Sequence, residues 1–198
     1  MNTQLFVDQL NREVYLNKMP KRIISLVPSL TDFLHYLSLD EEVVGITKFC
    51  IHPQEWFENK EKIGGTKRVN IEKVIALEPD LIIGNKEENT KEDILALEKV
   101  APVWMSDVNS FDDGIEMIMK LGVVLSKEKV CNELVKNLEQ EYSPLKNLGQ
   151  NLSVLYFIWN KPSYVAGQST FIGSMIEKLG FNNMAKIDRY PELESLGG

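Results

Sequence analysis

The chain is poor in the residues that most often carry chemistry. Its 198 residues include two cysteines, Cys50 and Cys131, and two histidines, His35 and His52. Arginine is restricted to Arg12, Arg22, Arg68 and Arg189. No phosphate loop, G-x-G-x-x-G fingerprint, H-E-x-x-H helix, nucleophile elbow or paired C-x-x-C occurs, so enzyme classes built on those motifs start without support. No apolar run approaches the ~20 residues of a membrane span. A net charge of −7 leaves the chain without the basic surface that nucleic acid or an anionic membrane selects, and no nucleic-acid partner is expected. Residues 1–9 show neither a basic n-region nor an apolar h-region. No signal peptide is read there, so either a cytoplasmic protein or a sequence lacking its leader is expected. Two cysteines this far apart leave the redox compartment open.

What is present is the composition of one or two ordinary globular domains, 43% hydrophobic and 26% charged. Residues 6–16 alternate weakly around Asn11-Arg12 and read as a short hairpin or edge strand. After Pro20, residues 22–27 form a nearly continuous apolar run of the kind found in buried parallel strands. Pro28-Ser29 ends that run, and Ser29 or Thr31 is expected to cap a helix through Phe33, Leu34 and Leu37. Residues 43–46 make a second strand. Residues 47–53, containing Phe49, Cys50 and His52, make a loop, and residues 54–60 make a helical turn or two.

Residues 64–83 then encode a whole unit. Gly64-Gly65 permits a sharp turn, and Thr66-Lys67-Arg68 lies exposed. Asn70 is a good N-cap for a helix carrying Ile71, Val74, Ile75 and Leu77. Pro79-Asp80 makes the turn, and Leu81-Ile82-Ile83 reads as a buried strand. Such a unit belongs to an open α/β sheet with a polar loop on its ligand-binding rim. The pattern continues with a loop at 84–89, a helix capped by Thr90, a strand at 102–105 and a helix from Phe111 capped by Ser110. Strand and helix alternating in this order give a parallel sheet with right-handed crossovers. From Ser126, apolar residues recur at Val130, Leu134, Leu138 and Tyr142 with no proline until Pro144. That spacing predicts a helix of about five turns, roughly 30 Å, long enough to join two lobes. Residues 152–159 read as a strand, 160–168 as a loop, and Thr170 as the cap of a helix ending at Gly180.

The motif Gly64-x-x-x-x-Val69-Asn70-Ile71-Glu72-x-Val74-x-Ala76-Leu77-x-Pro79-Asp80-Leu81-Ile82 resembles the signature of the helical-backbone solute-binding proteins. These serve ABC importers of vitamin B12, iron–siderophores and haem. Val27-Pro28-Ser29-x-Thr31, the long helix and Gly167-Gln168-Ser169-Thr170 follow in family order, so the resemblance covers almost the whole chain. It implies an α/β fold of two lobes, each a mainly parallel sheet flanked by helices, joined by one long backbone helix. The divisions expected are residues 1–124, 125–147 and 148–198. The second lobe is short for covering both faces of a sheet, so the sequence is expected to be truncated or unusually brief there.

The resemblance further implies a binding protein rather than an enzyme. It would hold no intrinsic cofactor, act as a monomer, bind a metal chelate (iron–siderophore, cobalamin or haem) between lobes, and dock on a membrane permease dimer. The rivals are a cytoplasmic chelate-binding or sensing protein without a transporter, and a chelatase-like enzyme using Cys50 and His52. Carried over onto matching positions, ligand contacts fall on Ser29, Phe49, Cys50, His52, Thr66, Lys67 and Arg68 in the first lobe. In the second they fall on Trp159, Tyr164, Arg189 and Tyr190. Thr66 departs from the cobalamin binders, which carry an aromatic there. Cys50 and His52 read first as loop residues with ordinary packing, next as contacts to the metal of a chelate, and last as ligands of a protein-held metal, for which two are too few. Trp159 reads as core packing or as ligand contact, and Lys67, Arg68, Lys161 and Arg189 as a modest positive rim or as solubilising charges. Glu72 matches the family's docking glutamate; it is also a carboxylate well placed in the first turn of a helix. Its second-lobe counterpart is not cleanly matched by Glu194-Ser195-Leu196.

Overall fold

The computed structural model of the chain describes residues 3–193. They divide into two compact units: one built from the chain up to Asp107 together with Lys120–Glu128, the other from Val108–Met119 and the chain from Lys129 onward.

The first unit opens with an antiparallel hairpin, β1 (Gln4–Val7) and β2 (Glu13–Leu16). Its tip turns at Asn11, which adopts a positive φ of 58°. The apolar run beyond Pro20 becomes β3 (Ile23–Ser25), buried at every residue. The helix that follows, α1 (Pro28–Tyr36), starts on a proline, which suits a first-turn position. Neither Ser29 nor Thr31 caps it, because the N-cap position falls on Val27 and no side chain bonds there. Thr31 instead turns inward, donating to Ser25 Oγ at 2.8 Å and reaching the Val27 carbonyl at 3.0 Å.

Next come β4 (Val43–Ile46), α2 (Gln54–Asn59) and β5 (Glu61–Lys62). The glycine-bearing stretch forms a small antiparallel hairpin, β6 (Gly64–Gly65) and β7 (Arg68–Val69), turning at Thr66-Lys67. Helix α3 (Ile71–Ala76) has Asn70 as its N-cap, whose side chain accepts from Lys73 N at 3.0 Å. Strand β8 (Leu81–Asn85) and α4 (Lys91–Leu97) follow, the latter capped by Thr90, which accepts from Asp93 N at 3.2 Å. The Asp80 carboxylate accepts from the backbone N–H groups of Lys21 and Arg22 at 3.0 and 2.8 Å, pinning the entry to β3 beside the start of β8. Strand β9 (Val103–Ser106) completes a five-stranded, wholly parallel sheet of order β5-β4-β3-β8-β9. Ile23, Ile24, Leu26, Leu34, Leu81, Ile82, Ile83 and Trp104 lie at its centre without solvent exposure.

Helix α5 (Phe111–Val124) begins with Ser110 accepting from Asp113 N at 3.1 Å. Helix α6 (Glu128–Tyr142) runs to a single 3₁₀ turn at Ser143–Leu145, where Pro144 stops it. Its start lies two residues beyond Ser126, which has a positive φ of 52° and separates α5 from α6.

The second unit departs from a single strand over 152–159. The apolar run splits into β10 (Ser153–Val154) and β11 (Phe157–Asn160). Part of the stretch expected to be loop is β12 (Ser163–Val165), which pairs with β11 as an antiparallel hairpin. Helix α7 (Phe171–Lys178) is capped by Thr170, which accepts from Gly173 N at 3.0 Å, and ends at Gly180 with φ of 82°. Strand β13 (Asn182–Asn183) pairs in parallel with β10.

Candidate functional site

The loops leaving the carboxyl ends of β4 and β5 meet in an open recess of about 830 Å³. That edge of an open parallel sheet is where such folds place ligands, and the volume lies within the range of small-molecule sites. Its walls are Lys48 and Phe49 from the first loop, the whole β6–β7 hairpin from Gly64 to Val69, and Asn70, Ile71 and Glu72 at the start of α3. The hairpin exists because Gly64 adopts φ of 104°; a Cβ there would stand 2.6 Å from the Arg68 carbonyl oxygen. Gly65 keeps room beside Phe49, whose ring edge would lie 3.2 Å from an added Cβ.

The turn of this hairpin is held from behind. Asn89 Nδ2 donates to the Thr66 carbonyl at 2.8 Å, and Asp93 Oδ2 accepts from Val69 N at 3.1 Å. Asn89 is itself fixed, its Oδ1 accepting from Asn85 N at 2.8 Å. The chain between Thr66 and Val69 is thus tied at both ends to the loop after β8 and the first turn of α4. Lys67 and Arg68 project from it into solvent. Phe49 is 51% exposed, and the Lys48 ammonium lies 5.1 Å from its ring centre, a cation–π distance.

Of the first-lobe residues singled out in sequence, Phe49, Thr66, Lys67, Arg68 and Glu72 come together here. Ser29, Cys50 and His52 are not among the walls of the recess. Cys50 is wholly buried, its sulfur 3.1 Å from Thr31 Oγ1 and 3.2 Å from Thr47 Oγ1. The expectation that Cys50 reaches a ligand is corrected by that burial: the thiol is a packing group behind the loop. Ser29 is exposed in the first turn of α1, and His52 is exposed on the loop before α2. Among the described residues, no three His, Cys, Asp or Glu side chains gather as a protein-held metal would need. Thr66 is also buried, so its carbonyl rather than a broad side-chain face serves the turn.

In the second unit, Trp159 and Tyr164 face each other across the β11–β12 hairpin. The indole is 65% exposed and donates to the Lys161 carbonyl at 3.1 Å, so Trp159 is no core residue. Residues 189–192 run alongside β12, with Val165 N donating to the Pro191 carbonyl at 3.1 Å and Gly167 N to the Arg189 carbonyl at 2.7 Å. Arg189 has a positive φ of 64°, and its guanidinium lies 5.8 Å from the Tyr190 ring centre. The four residues singled out there thus belong to one hairpin and the segment paired with it. Glu194 lies outside the described residues.

Sequence reasoning missed Lys48, Asn89 and Asp93. Lys48 flanks Phe49 in a loop already suspected, and that adjacency was the available signal. Asn89 and Asp93 act on partners more than twenty residues away, and no local pattern marks such bonds.

Comparison with known proteins agrees with this architecture. A substrate-binding lipoprotein of an ABC transporter, YvrC of Bacillus subtilis, is 31% identical over 189 residues, covering 90% of this chain and 60% of the relative. The crystal structure of the periplasmic vitamin B12-binding protein BtuF of Vibrio cholerae superposes with a TM-score of 0.77 at 22% identity, covering 90% of this chain and 72% of that one. The petrobactin-binding protein YclQ from Bacillus subtilis gives a TM-score of 0.81 at 19% identity, over 93% and 67% of the two chains. At those identities the two structures speak for the fold alone. The chain spans about three-fifths of the length of YvrC. The family model for periplasmic binding proteins matches residues 23–195, from β3 through the segment beside β12. With the parallel sheet, its ligand-side recess and that match in agreement, the chain belongs to the periplasmic binding protein family.

Proposed function

We propose that this chain is the substrate-binding component of an ABC importer for a metal chelate, working on the outer side of the cytoplasmic membrane. The observation that carries the reading is the recess of the first unit. A solvent-facing aromatic, a glycine-shaped hairpin and three cationic side chains converge at the ligand-binding edge of a parallel sheet. Iron–siderophore, cobalamin and haem are the chelates considered, each carried as cargo rather than held as a cofactor. The exposed Trp159, Tyr164 and Tyr190 of the second unit are proposed as a further ligand-contacting surface, since such rings carry much apolar area at little entropic cost. Residues 125–147, of which Glu128–Tyr142 form α6, are proposed as the backbone segment that the family resemblance implies. No covalent step is assigned to the protein.

The test is the melting temperature of the protein with cyanocobalamin, haemin and ferric siderophores. A chelate at about one hundred times its Kd stabilises by about 2.7 kcal/mol, which raises Tm by roughly 5–10 °C for a chain of this size. A panel in which no chelate shifts Tm would remove the reading. Trp159→Ala and Tyr190→Ala are expected to weaken binding of the responsive chelate while keeping the wild-type circular dichroism. Unchanged affinity in both would withdraw the second unit from the site.

A further inference from the structure

The recess gathers three cations, Lys48, Lys67 and Arg68, on one wall. Elsewhere many basic side chains are engaged: Arg12 with Asp8 and Glu98, Lys18 with Asp80, Lys21 with Glu42, Lys73 with Glu61, Lys86 with Asp107 and Lys186 with Glu177. Arg22 donates to the carbonyls of Leu77 and Glu78. Among the described residues, Lys67 and Arg68 make neither an ion pair nor a side-chain hydrogen bond, and Lys48 touches only the face of Phe49. A chain with an excess of acid, net −7, has spare carboxylates to neutralise exposed cations. It leaves these three together on one recess, with Glu72 the only acidic residue in the wall.

The second observation is mechanical. Lys67 lies in the Thr66-Lys67 turn and Arg68 begins β7, and the Thr66 carbonyl and Val69 N–H on either side of them are bonded to Asn89 and Asp93. The backbone carrying the charges is therefore fixed before any ligand arrives. Pre-organised charge loses less on binding, and a guanidinium with all its donors free matches oxyanions in a two-pronged fashion.

We infer that the recess selects chelates that carry negative charge, recognised by Lys48, Lys67 and Arg68, over neutral chelates of similar size. The inference rests on the chelate-binding reading above and narrows its ligand class. Carboxylate or catecholate oxygens of a ferric complex, or the propionates of haem, meet the cations, while Phe49 covers the flat or apolar part of the ligand. Neutral trihydroxamate complexes and cyanocobalamin gain nothing from the charges and must leave them half-desolvated.

The experiment is titration calorimetry with a trianionic ferric tris-catecholate, haemin, a neutral ferric trihydroxamate and cyanocobalamin, at low and at physiological salt. Wild type is expected to favour the anionic chelates by about tenfold or more, and that preference is expected to shrink as salt rises. The triple variant Lys48→Gln, Lys67→Gln, Arg68→Gln is expected to lose both the preference and its salt dependence. A control with the same charge change at engaged sites, Lys18→Gln, Lys21→Gln, Lys186→Gln, is expected to retain them. Should the triple variant fold poorly, the wild-type preference and its salt dependence decide the matter alone. Equal affinities, preference for a neutral chelate, or equal loss in the control overturns the inference while leaving chelate binding in place. Absence of binding by every chelate overturns both.

Discussion

Asp8 is a carboxylate without solvent exposure. Its oxygens accept from Leu10 N and Arg12 N at 2.9 Å, from Arg12 Nε at 2.8 Å and from Met105 N at 3.1 Å. One side chain thus closes the β1–β2 turn and fastens it to β9. Removing a partner from such a group leaves buried donors without acceptors, so Asp8→Ala is expected to cost about 3–5 kcal/mol in urea denaturation. The low end applies if Arg12, 29% exposed, swings fully onto Glu98. A loss under about 1 kcal/mol would show that water replaces the carboxylate. The alternation of residues 6–16 made the hairpin legible, but nothing local distinguished Asp8, because Met105 lies 97 residues away. Asp40 gives the pH counterpart. The Trp56 indole donates to it at 2.8 Å and holds its carboxyl below the usual carboxylate range. A lowered folded-state pKa means the contribution is present above the ordinary value of 3.8 and is lost as pH falls through the folded value. The difference in stability between wild type and Asp40→Asn is therefore expected to be constant above about pH 5 and to shrink below about pH 4. A difference that grows on acidification would reverse the sign assigned here.

The elements of the first unit were legible because each apolar run is bounded by residues with one conformational meaning. Pro20 and Pro28 bracket β3, Asn70 caps α3, and Pro79-Asp80 precedes β8. The run at 152–159 failed for a physical reason. Continuous hydrophobicity marks a strand buried on both faces, whereas β11 is exposed at all four residues and belongs to a hairpin. Its pairing is set by the return at 161–162, which composition does not reveal. The β6–β7 hairpin was half legible: two glycines signalled a turn, while the exposed Thr66-Lys67-Arg68 proved to be a strand-flanked tip with Thr66 buried. At this scale the prediction concerns Gly64. An alanine there is strained by the positive φ and meets the Arg68 carbonyl, so Gly64→Ala is expected to cost about 1–3 kcal/mol and to displace the tip. Because the tip carries Lys67 and Arg68, affinity for the responsive chelate is expected to fall with stability. Asn89→Ala, by contrast, removes one support and leaves the φ strain absent. It is expected to lower affinity with a stability loss of about 1–3 kcal/mol, set by the two hydrogen bonds of the Asn89 side chain. Titration and denaturation on both variants check the pair; wild-type affinity in each would show that the tip takes no part in binding.

At the scale of the whole molecule, the alternation of strand and helix and one motif sufficed to place the chain in its family, since those features are encoded locally and repeat along the sequence. What the sequence left double was Glu72, read both as a permease-docking group and as a helix-start carboxylate. The structure adds a third aspect: Glu72 is exposed and stands in the wall of the recess, in the first turn of α3. These roles pull in measurable directions. A carboxylate beside Lys67 and Arg68 opposes an anionic ligand, and removing an exposed like charge is worth roughly 0.2–1 kcal/mol. Glu72→Gln is therefore expected to tighten binding of an anionic chelate by up to about fivefold, with little effect on a neutral one. On the proposed docking role the same change deletes an interfacial charge, which can cost a few kcal/mol when its partner is left buried and unmatched. Uptake in cells carrying the cognate permease is then expected to slow even though the ligand is held more tightly. Stability is expected to change by no more than ~1 kcal/mol, the share of a carboxylate at a helix start. Affinity by titration and uptake by radiolabelled chelate separate the outcomes. Slower uptake with tighter binding assigns Glu72 to the permease; faster or unchanged uptake removes it from docking and leaves it as the acidic edge of the recess.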